Sequence, residues 1–577
     1  MNNKLNLKRY FKKYLHFYVI AVIAVTCSIT LDMIGPQIVR HIVDDVLIGK
    51  KIDMLKYCLL GILGVGICKC IFQYVKEFSC DWAGSKIASE LRINLFQKIQ
   101  SLSANFFDGI NSGELMSRVK SDVDRIWDLG CYIGILMVEV VIHTVIALYF
   151  MFSLNWKLSI IPTIGMAVAA FIALKMERKL GDKFEKIAQE DSELNNTAQE
   201  NLAGIRTVKA FTREKHEIFK FHKHNQKYYE LNIDLSKVFV KYNPIISSVT
   251  HFIPYTVLLI GGFFTIQGMN NPSAEQFTIG ELTAFLQYSM NIIWPMEMLG
   301  WLTNGISSAR ASAKRLEKIY EEDPSIVNKN DSVSPEINGN ISFENVSFIA
   351  PNGKIILDNI SFDIKKGETL GIMGATGSGK TTIINLLKRM YDATSGKIYI
   401  DGIDIKDINL NTLRSNISSV MQDIFLFSDT IGSNVKLGKK EFLDNQNLCE
   451  ALEQSCSSSF VNGMKEKSET VIGERGIGLS GGQKQRLTIA RAISRKTPVL
   501  IFDDSTSALD TETEQEIQKN LDSLKGMTKI IIAHIISAVR KADKIIVLEN
   551  GKIVESGNND ELLAKKGLYY ETYKSQY

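Results

Sequence analysis

Six apolar runs, each long enough to cross a lipid bilayer, precede residue 305, and none follows it. They cover 14–34, 55–75, 129–154, 158–176, 245–269 and 279–302. A helix needs about 20 mostly apolar residues to span the hydrocarbon core. Backbone polar groups in lipid are satisfied only in helices or closed barrels. The first half is therefore expected to be an α-helical membrane domain of six spanning helices. Lys4, Lys8, Arg9, Lys12 and Lys13, interleaved with Leu5, Leu7, Tyr10 and Phe11, precede the first run. Such a basic amphipathic segment suits the inner face of a membrane. No small-residue cleavage pattern follows it, which sets aside a signal peptide.

Charge gives the orientation. The loop 267–280 has no Lys or Arg and 153–157 has only Lys157, whereas 177–241 is crowded with both. The positive-inside rule puts that long segment, the stretch 76–128 and both termini in the cytoplasm. Both long segments keep helical periodicity and read as spanning helices that continue out of the bilayer as stalks. The balance of 67 basic and 63 acidic residues, net +4, is too even for a dedicated nucleic-acid binder. The eight cysteines are scattered without zinc-type spacing, so buried thiols are expected rather than a metal or disulfide framework.

Residues 323–340 read as a linker, broken by Pro324, Pro335 and Gly339. The expected domains are thus 1–322 (membrane, with cytoplasmic helical extensions), 323–340 (linker) and 341–577. The third opens on strand-like alternation. Within it, Gly374-Ala375-Thr376-Gly377-Ser378-Gly379-Lys380-Thr381-Thr382 follows a short apolar strand and precedes a helical run. That is the context of a P-loop: glycines let the backbone approach phosphate, Lys380 supplies a point charge, and the Thr381 hydroxyl suits magnesium. A second apolar strand ends in Asp503 and Asp504. Doubly wound sheets present such carboxylates beside a nucleotide. The first suits a metal shell and the second a base that polarises water.

With these come Leu479-Ser480-Gly481-Gly482-Gln483, Gln422, Ser507-Ala-Leu-Asp510 and His534. The chain resembles the ATP-binding cassette proteins, and its third domain an α/β P-loop nucleotide-binding domain. The resemblance extends to the membrane half through Phe106-Phe-Asp, Gly113-Glu-Leu, Ser117-Arg118, Asp122, Glu200, Gly204-Ile-Arg206, Val208-Lys209 and Phe211. It implies one half of a six-helix exporter in the cytoplasmic membrane. A second half-transporter chain is its partner, and ATP with Mg2+ lies between the paired cassettes. Carried over, Gly374 to Thr382 bind nucleotide, and Thr381, Gln422 and Asp503 hold the metal. Asp504 is the base, Gln422 and His534 face the reacting phosphate, and Ser480 and Gly482 act on the partner's ATP. Asp510 falls at the cassette interface, and coupling helices fall near 112–118 and 204–213.

Three positions depart from the family pattern. Asp504 stands where the family usually has Glu, one methylene longer. Ala350 stands where an aromatic ring commonly stacks on adenine, with Phe348 a possible substitute. Ile535 replaces a basic residue. A misplacement of about 1 Å at a reacting group can cost on the order of a hundredfold in rate. With the signature peptide intact, the pattern resembles the degenerate-site subunit of heterodimeric bacterial multidrug exporters. The implied function is ATP-driven export of hydrophobic or amphipathic compounds, with this chain's own site slow in hydrolysis. A homodimeric exporter or flippase of lipid or peptide, and an ATP-gated channel or sensor, stay open as alternatives. Ionisable and aromatic residues in the spans are candidate contacts for a small hydrophobic substrate: Glu139 and His143 on one face of the third, His251 in the fifth and Trp294 in the sixth. Ordinary packing, with Glu139 and His143 satisfying each other, is the competing reading.

Overall fold

The computed structural model describes residues 5–270, 277–437, 445–473, 476, 478–504 and 509–576. The chain forms two compact units. One runs up to Ser101 and resumes over Ile110–Asp323. The other takes Leu102–Gly109 and everything from Pro324 onward.

The first unit is helical. Among the described residues, five helices are long and apolar enough to cross a membrane: Leu15–Ile48, Ile52–Ser101, Ser112–Leu154, Trp156–Ala203 and Glu214–Met269. The regular stretches Leu55–Ser101, Trp156–Ala203 and Glu214–Asn270 have 47, 48 and 57 residues. At about 1.5 Å per residue they are more than twice as long as a bilayer core is thick. The apolar runs do continue as stalks. Short helices Ser112–Ser117 and Ile205–Ala210 fall where the resemblance implied coupling helices.

The sixth run is divided. Helix Ile279–Asn291 ends at Ile292, and Ile293–Glu321 begins immediately after it. Pro295 has no N–H to give to the Asn291 carbonyl, so the ladder is interrupted there. Val25, Met33, Met151, Leu158, Val257, Phe285 and Tyr288 are fully buried in the core of this unit. The Tyr288 hydroxyl is satisfied within it, donating to the Met33 carbonyl at 2.6 Å and accepting from Gln37 at 3.0 Å.

The second unit holds two sheets. Its strands are β1 (Ile341–Ile349), β2 (Ile355–Ile364), β3 (Thr369–Gly374), β4 (Ser395–Ile400), β5 (Ile403–Asp404), β6 (Ile417–Val420), β7 (Val499–Asp503), β8 (Thr528–Ile532), β9 (Lys544–Glu549) and β10 (Lys552–Gly557). An antiparallel sheet has the order β2-β1-β4-β5, and a six-stranded sheet the order β10-β9-β3-β8-β7-β6. In the latter, every neighbouring pair except β9–β10 is parallel. Strands β7 and β8 are buried at every position, as central strands covered on both faces are. Ile383, Ile384, Leu386 and Leu387 bury one face of helix Lys380–Leu387 against this core. The carboxyl ends of β3, β8 and β7 are adjacent, and ligands bind at that edge in such sheets.

Candidate active site

The loop from Gly374 to Gly379 joins β3 to helix Lys380–Leu387, and its first and last glycines are required by space as well as by angle. Gly374 has φ +150°, and a Cβ there would strike the Leu548 carbonyl oxygen. Gly379, the helix N-cap, has φ +103°, and a Cβ would lie 2.6 Å from the Leu357 side chain. Such backbone is open to glycine and strained in other residues. The Lys380 ammonium is folded back into the loop, donating to the carbonyls of Gly374 at 2.8 Å and Ala375 at 2.9 Å. Burial pulls its pKa below the ordinary lysine value, and the carboxylates of Asp503 and Asp504 oppose that shift. The Ser378 hydroxyl is buried in the loop without a hydrogen-bond partner.

A cavity of about 310 Å³ opens on this loop. Thr376, Gly377, Gly379, Lys380, Thr381 and Thr382 line it, with Gln422, Asp503, Asp504 and His534. Gly374, Ala375 and Ser378 support the loop without lining the cavity. Asp503 ends β7, is 6% exposed and hydrogen-bonds the Thr381 side chain. Burial raises its pKa above the ordinary carboxylate value. Thr381, Lys388 and Lys380 work against that rise, and Asp504 adds to it. Asp504 leaves the strand with φ +47°, a left-handed conformation that aspartate adopts more readily than most residues. Its N–H donates to the Ile532 carbonyl at 3.0 Å, extending the β7–β8 ladder. The buried carboxyl of Asp503, the Thr381 hydroxyl and the Gln422 amide form an all-oxygen donor set suited to a hard cation. The unpartnered Ser378 hydroxyl and the loop free of Cβ at its glycines fit a polyphosphate.

Ser480 and Gly482 do not line this cavity. Ser480 caps helix Gly481–Ser494 through a reciprocal box: its N–H donates to Gln483 Oε1 at 2.9 Å, and its hydroxyl accepts from Gln483 N at 3.3 Å. Ser507 and Ala508 lie outside the described residues. Asp510 caps helix Thr511–Ser523, accepting from the Thr513 N–H at 3.1 Å.

Sequence reasoning missed Lys354, Ile356 and Ile532 in the cavity wall. Ile356 lies in β2, Lys354 just before it and Ile532 at the end of β8, and no motif or spacing marks which residues of these segments reach the nucleotide edge. Ala350 is held in a turn, its N–H donating to the Lys354 carbonyl at 2.9 Å and its carbonyl accepting from Gly353 N at 2.8 Å. The Phe348 ring packs against Tyr391, with centroids 5.7 Å apart.

In the first unit, the partner of Glu139 is Lys76, at 2.9 Å, and not His143. Lys76 also meets Glu77 at 2.9 Å. His143 is buried, its Nδ1 without a hydrogen-bond partner. Its ring lies 6.2 Å from Trp294, edge to face. His251 hydrogen-bonds within its own helix, its Nδ1 2.8 Å from the Ser247 carbonyl. A further pair, Lys69 with Asp32, joins the second and first runs. Lys69 sits inside an apolar run, and that was the signal available for it.

Comparison with known proteins agrees with both units. The ABC transporter transmembrane region family matches residues 18–296, and the ABC transporter family matches 357–507. The uncharacterized ABC transporter ATP-binding protein YknU of Bacillus subtilis (strain 168) is 33% identical over 574 residues, covering 99% of this chain and 97% of its own. The ATP-dependent lipid A-core flippase of Syntrophus aciditrophicus (strain SB) is 34% identical over 544 residues, 94% of this chain and 89% of its own. The putative multidrug export ATP-binding/permease protein YgaD of Bacillus subtilis (strain 168) is 31% identical over 588 residues, 99% of each. The solved structure of a bacterial Atm1-family ABC exporter with ATP bound shares the fold, with TM-score 0.83, 24% identity and 98% of each chain covered.

Proposed function

Because this chain belongs to the ATP-binding cassette exporter family, whose members work as dimers, we propose that it is one half of a heterodimeric exporter of hydrophobic or amphipathic compounds. Its own ATP site hydrolyses slowly, and its signature peptide completes the competent site of a different partner chain. The observation that carries this reading is the end of β7. Among the described residues, the carboxylate that follows Asp503 in the cavity wall is the short Asp504, on a backbone tethered to Ile532. The intact cap at Ser480 lies outside the lining of this cavity and supports a role at the partner's ATP. The names of its relatives, a lipid A-core flippase and a multidrug exporter, support a membrane-soluble cargo.

In this reading residues 1–322 form the membrane domain, 323–340 the linker and 341–577 the cassette. The loop from Gly374 to Thr382 holds the phosphates, and Lys380 exchanges its two carbonyl partners for phosphate oxygens. Thr381, Asp503 and Gln422 hold magnesium, which when bound neutralises phosphate charge. His534 contacts the terminal phosphate, and Asp504 orients water too distantly to be an efficient base.

The test is ATP turnover of the full chain in lipid, with Lys380→Ala as the blank. The expected result is near silence for the chain alone and at least about tenfold recovery in Asp504→Glu. Brisk turnover of the unmodified chain overturns the slow-site reading and makes it a homodimeric exporter.

A further inference from the structure

The turn that carries His534 into the cavity is gripped from outside the cavity. Gln576, the last residue of helix Leu568–Gln576, closes a two-bond fork on it. Its Nε2 donates to the His534 carbonyl at 2.8 Å, and its Oε1 accepts from the Ile536 N–H at 2.9 Å. A carboxamide offers one donor edge and one acceptor, and here each meets its complement on either side of Ile535. Helix Ile536–Val539 starts at that N–H, and its N-cap, Ile535, provides no side-chain cap. Gln576 supplies the missing cap from 40 residues away.

The gripping helix is itself fixed. Tyr569 is 1% exposed, and its hydroxyl donates to Asn559 at 2.9 Å. The Glu555 carboxylate accepts from the N–H groups of Leu568 and Tyr569. The fork therefore ties the His534 backbone to a packed element rather than to a loose one.

We infer that Gln576 is a positioning residue: it fixes the His534 turn so that the imidazole meets the terminal phosphate of ATP. The inference rests on the reading of His534 given above. Ile535, half-exposed, has no polar side chain, and its carbonyl accepts from the Ala538 N–H at 3.3 Å within the turn's own helix; the fork is what ties this turn to helix Leu568–Gln576.

Chemistry separates the two bonds. In Gln576→Glu the acceptor for Ile536 N–H survives, so the cap is kept, but no donor faces the His534 carbonyl. The full-length chain in lipid is to be assayed by competition of AMP-PNP and of ADP, each with Mg2+, against a fluorescent nucleotide. His534→Ala should lower the preference for AMP-PNP over ADP about tenfold, the loss of one hydrogen bond to a charged group. Gln576→Glu and Gln576→Ala should each lower it about threefold or more, with ADP affinity unchanged. Gln576→Glu should melt within about 2 °C of the parent chain, having kept its cap. If His534→Ala loses the preference while Gln576→Glu keeps it, Gln576 is a helix cap only and the inference fails alone. It fails likewise if ADP and AMP-PNP affinities fall together. If His534→Ala keeps the preference, the reading of His534 fails and the role of Gln576 falls with it.

Discussion

The Lys76 ammonium lies 2.9 Å from the Glu139 carboxylate, so the acid of the third apolar run already has its counter-ion within the chain. A cationic cargo meeting Glu139 would have to compete with a lysine whose side chain is 5% exposed. The two partners are not equivalent. Lys76 keeps Glu77 at 2.9 Å if Glu139 is lost, whereas among the described residues no second cation pairs with Glu139. Removing one partner of a buried pair costs about 3–5 kcal/mol when the other is left uncompensated. Lys76→Met should therefore lower the melting temperature of the purified protein clearly more than Glu139→Gln. Equal losses would mean that Glu77 does not serve as the reserve partner.

Adenine binding should respond to Ala350. Phe348 is engaged with Tyr391 and is not free to replace the missing ring. Base–aromatic stacking contributes about 1–3 kcal/mol. Ala350→Tyr is expected to tighten ATP about fivefold or more and to leave inorganic triphosphate binding unchanged, measured by nucleotide competition. Equal tightening of both ligands would place the effect on the phosphates instead.

A buried lysine gives the second unit a pH dependence. Lys388 is 5% exposed, hydrogen-bonded to Ser419 at 3.2 Å, with the charges of Asp503 and Arg414 acting on it. Burial pushes its pKa down to about 8 from 10.5. Between these values the unfolded chain binds the proton and the folded one does not, so stability rises with pH across that window. The benefit is complete above 10.5 and is lost as pH falls from there to about 8. Lys388→Met removes the titration. Relative to that variant, the parent chain should gain thermal stability from pH 8 to 10.5 and run parallel to it below pH 8. A constant offset at all pH values would show that Lys388 is charged throughout.

Asp122 gathers donors from two segments. It accepts from Ser312 at 2.9 Å, from Arg315 Nε at 3.0 Å and from Arg118 at 3.3 Å, with a closer contact to Arg315 Nη2. Asp122→Ala should cost about 3–5 kcal/mol, because two guanidiniums lose a shared buried anion. Arg118→Ala should cost under about 1 kcal/mol, since Arg315 still satisfies Asp122. Thermal unfolding of the two variants side by side checks the ordering.

What the sequence made legible was local. The P-loop, the two carboxylates at the end of β7 and the Ser480 cap depend on neighbours within a few residues, and each is found where its spacing puts it. What it hid was long-range. Lys76 is 63 residues from Glu139 and falls just beyond an apolar run that ends at residue 75, so its pairing was invisible to a reading by runs. The break at Ile292 was legible in Pro295, but the high hydrophobicity around it masked the signal. Leu102–Gly109 groups with the second unit because Ser103 and Asp108 bond to Ile326 and Tyr391, partners more than two hundred residues away. Gln576 and His534, 42 residues apart, meet because helices Ile536–Val539 and Leu568–Gln576 pack together.

The chain leaves the large sheet after β6 and returns to it at β7, and these two strands are hydrogen-bonded neighbours. Among the described residues between them, Leu426, Ile431, Leu448, Leu452, Val461, Ile472 and Leu487 form an apolar core of their own, while Ile489, Ala492 and Ile493 of the Ser480 helix pack with Val420 of β6 and Leu500 and Phe502 of β7. The chain's exit from β6 and return at β7 are side by side, so changes confined to that smaller core leave the register of the parallel strands untouched. In the proposed reading, mutation within that smaller core retunes what this chain offers to a partner's ATP, whereas Gln422, which precedes it, belongs to this chain's own cavity.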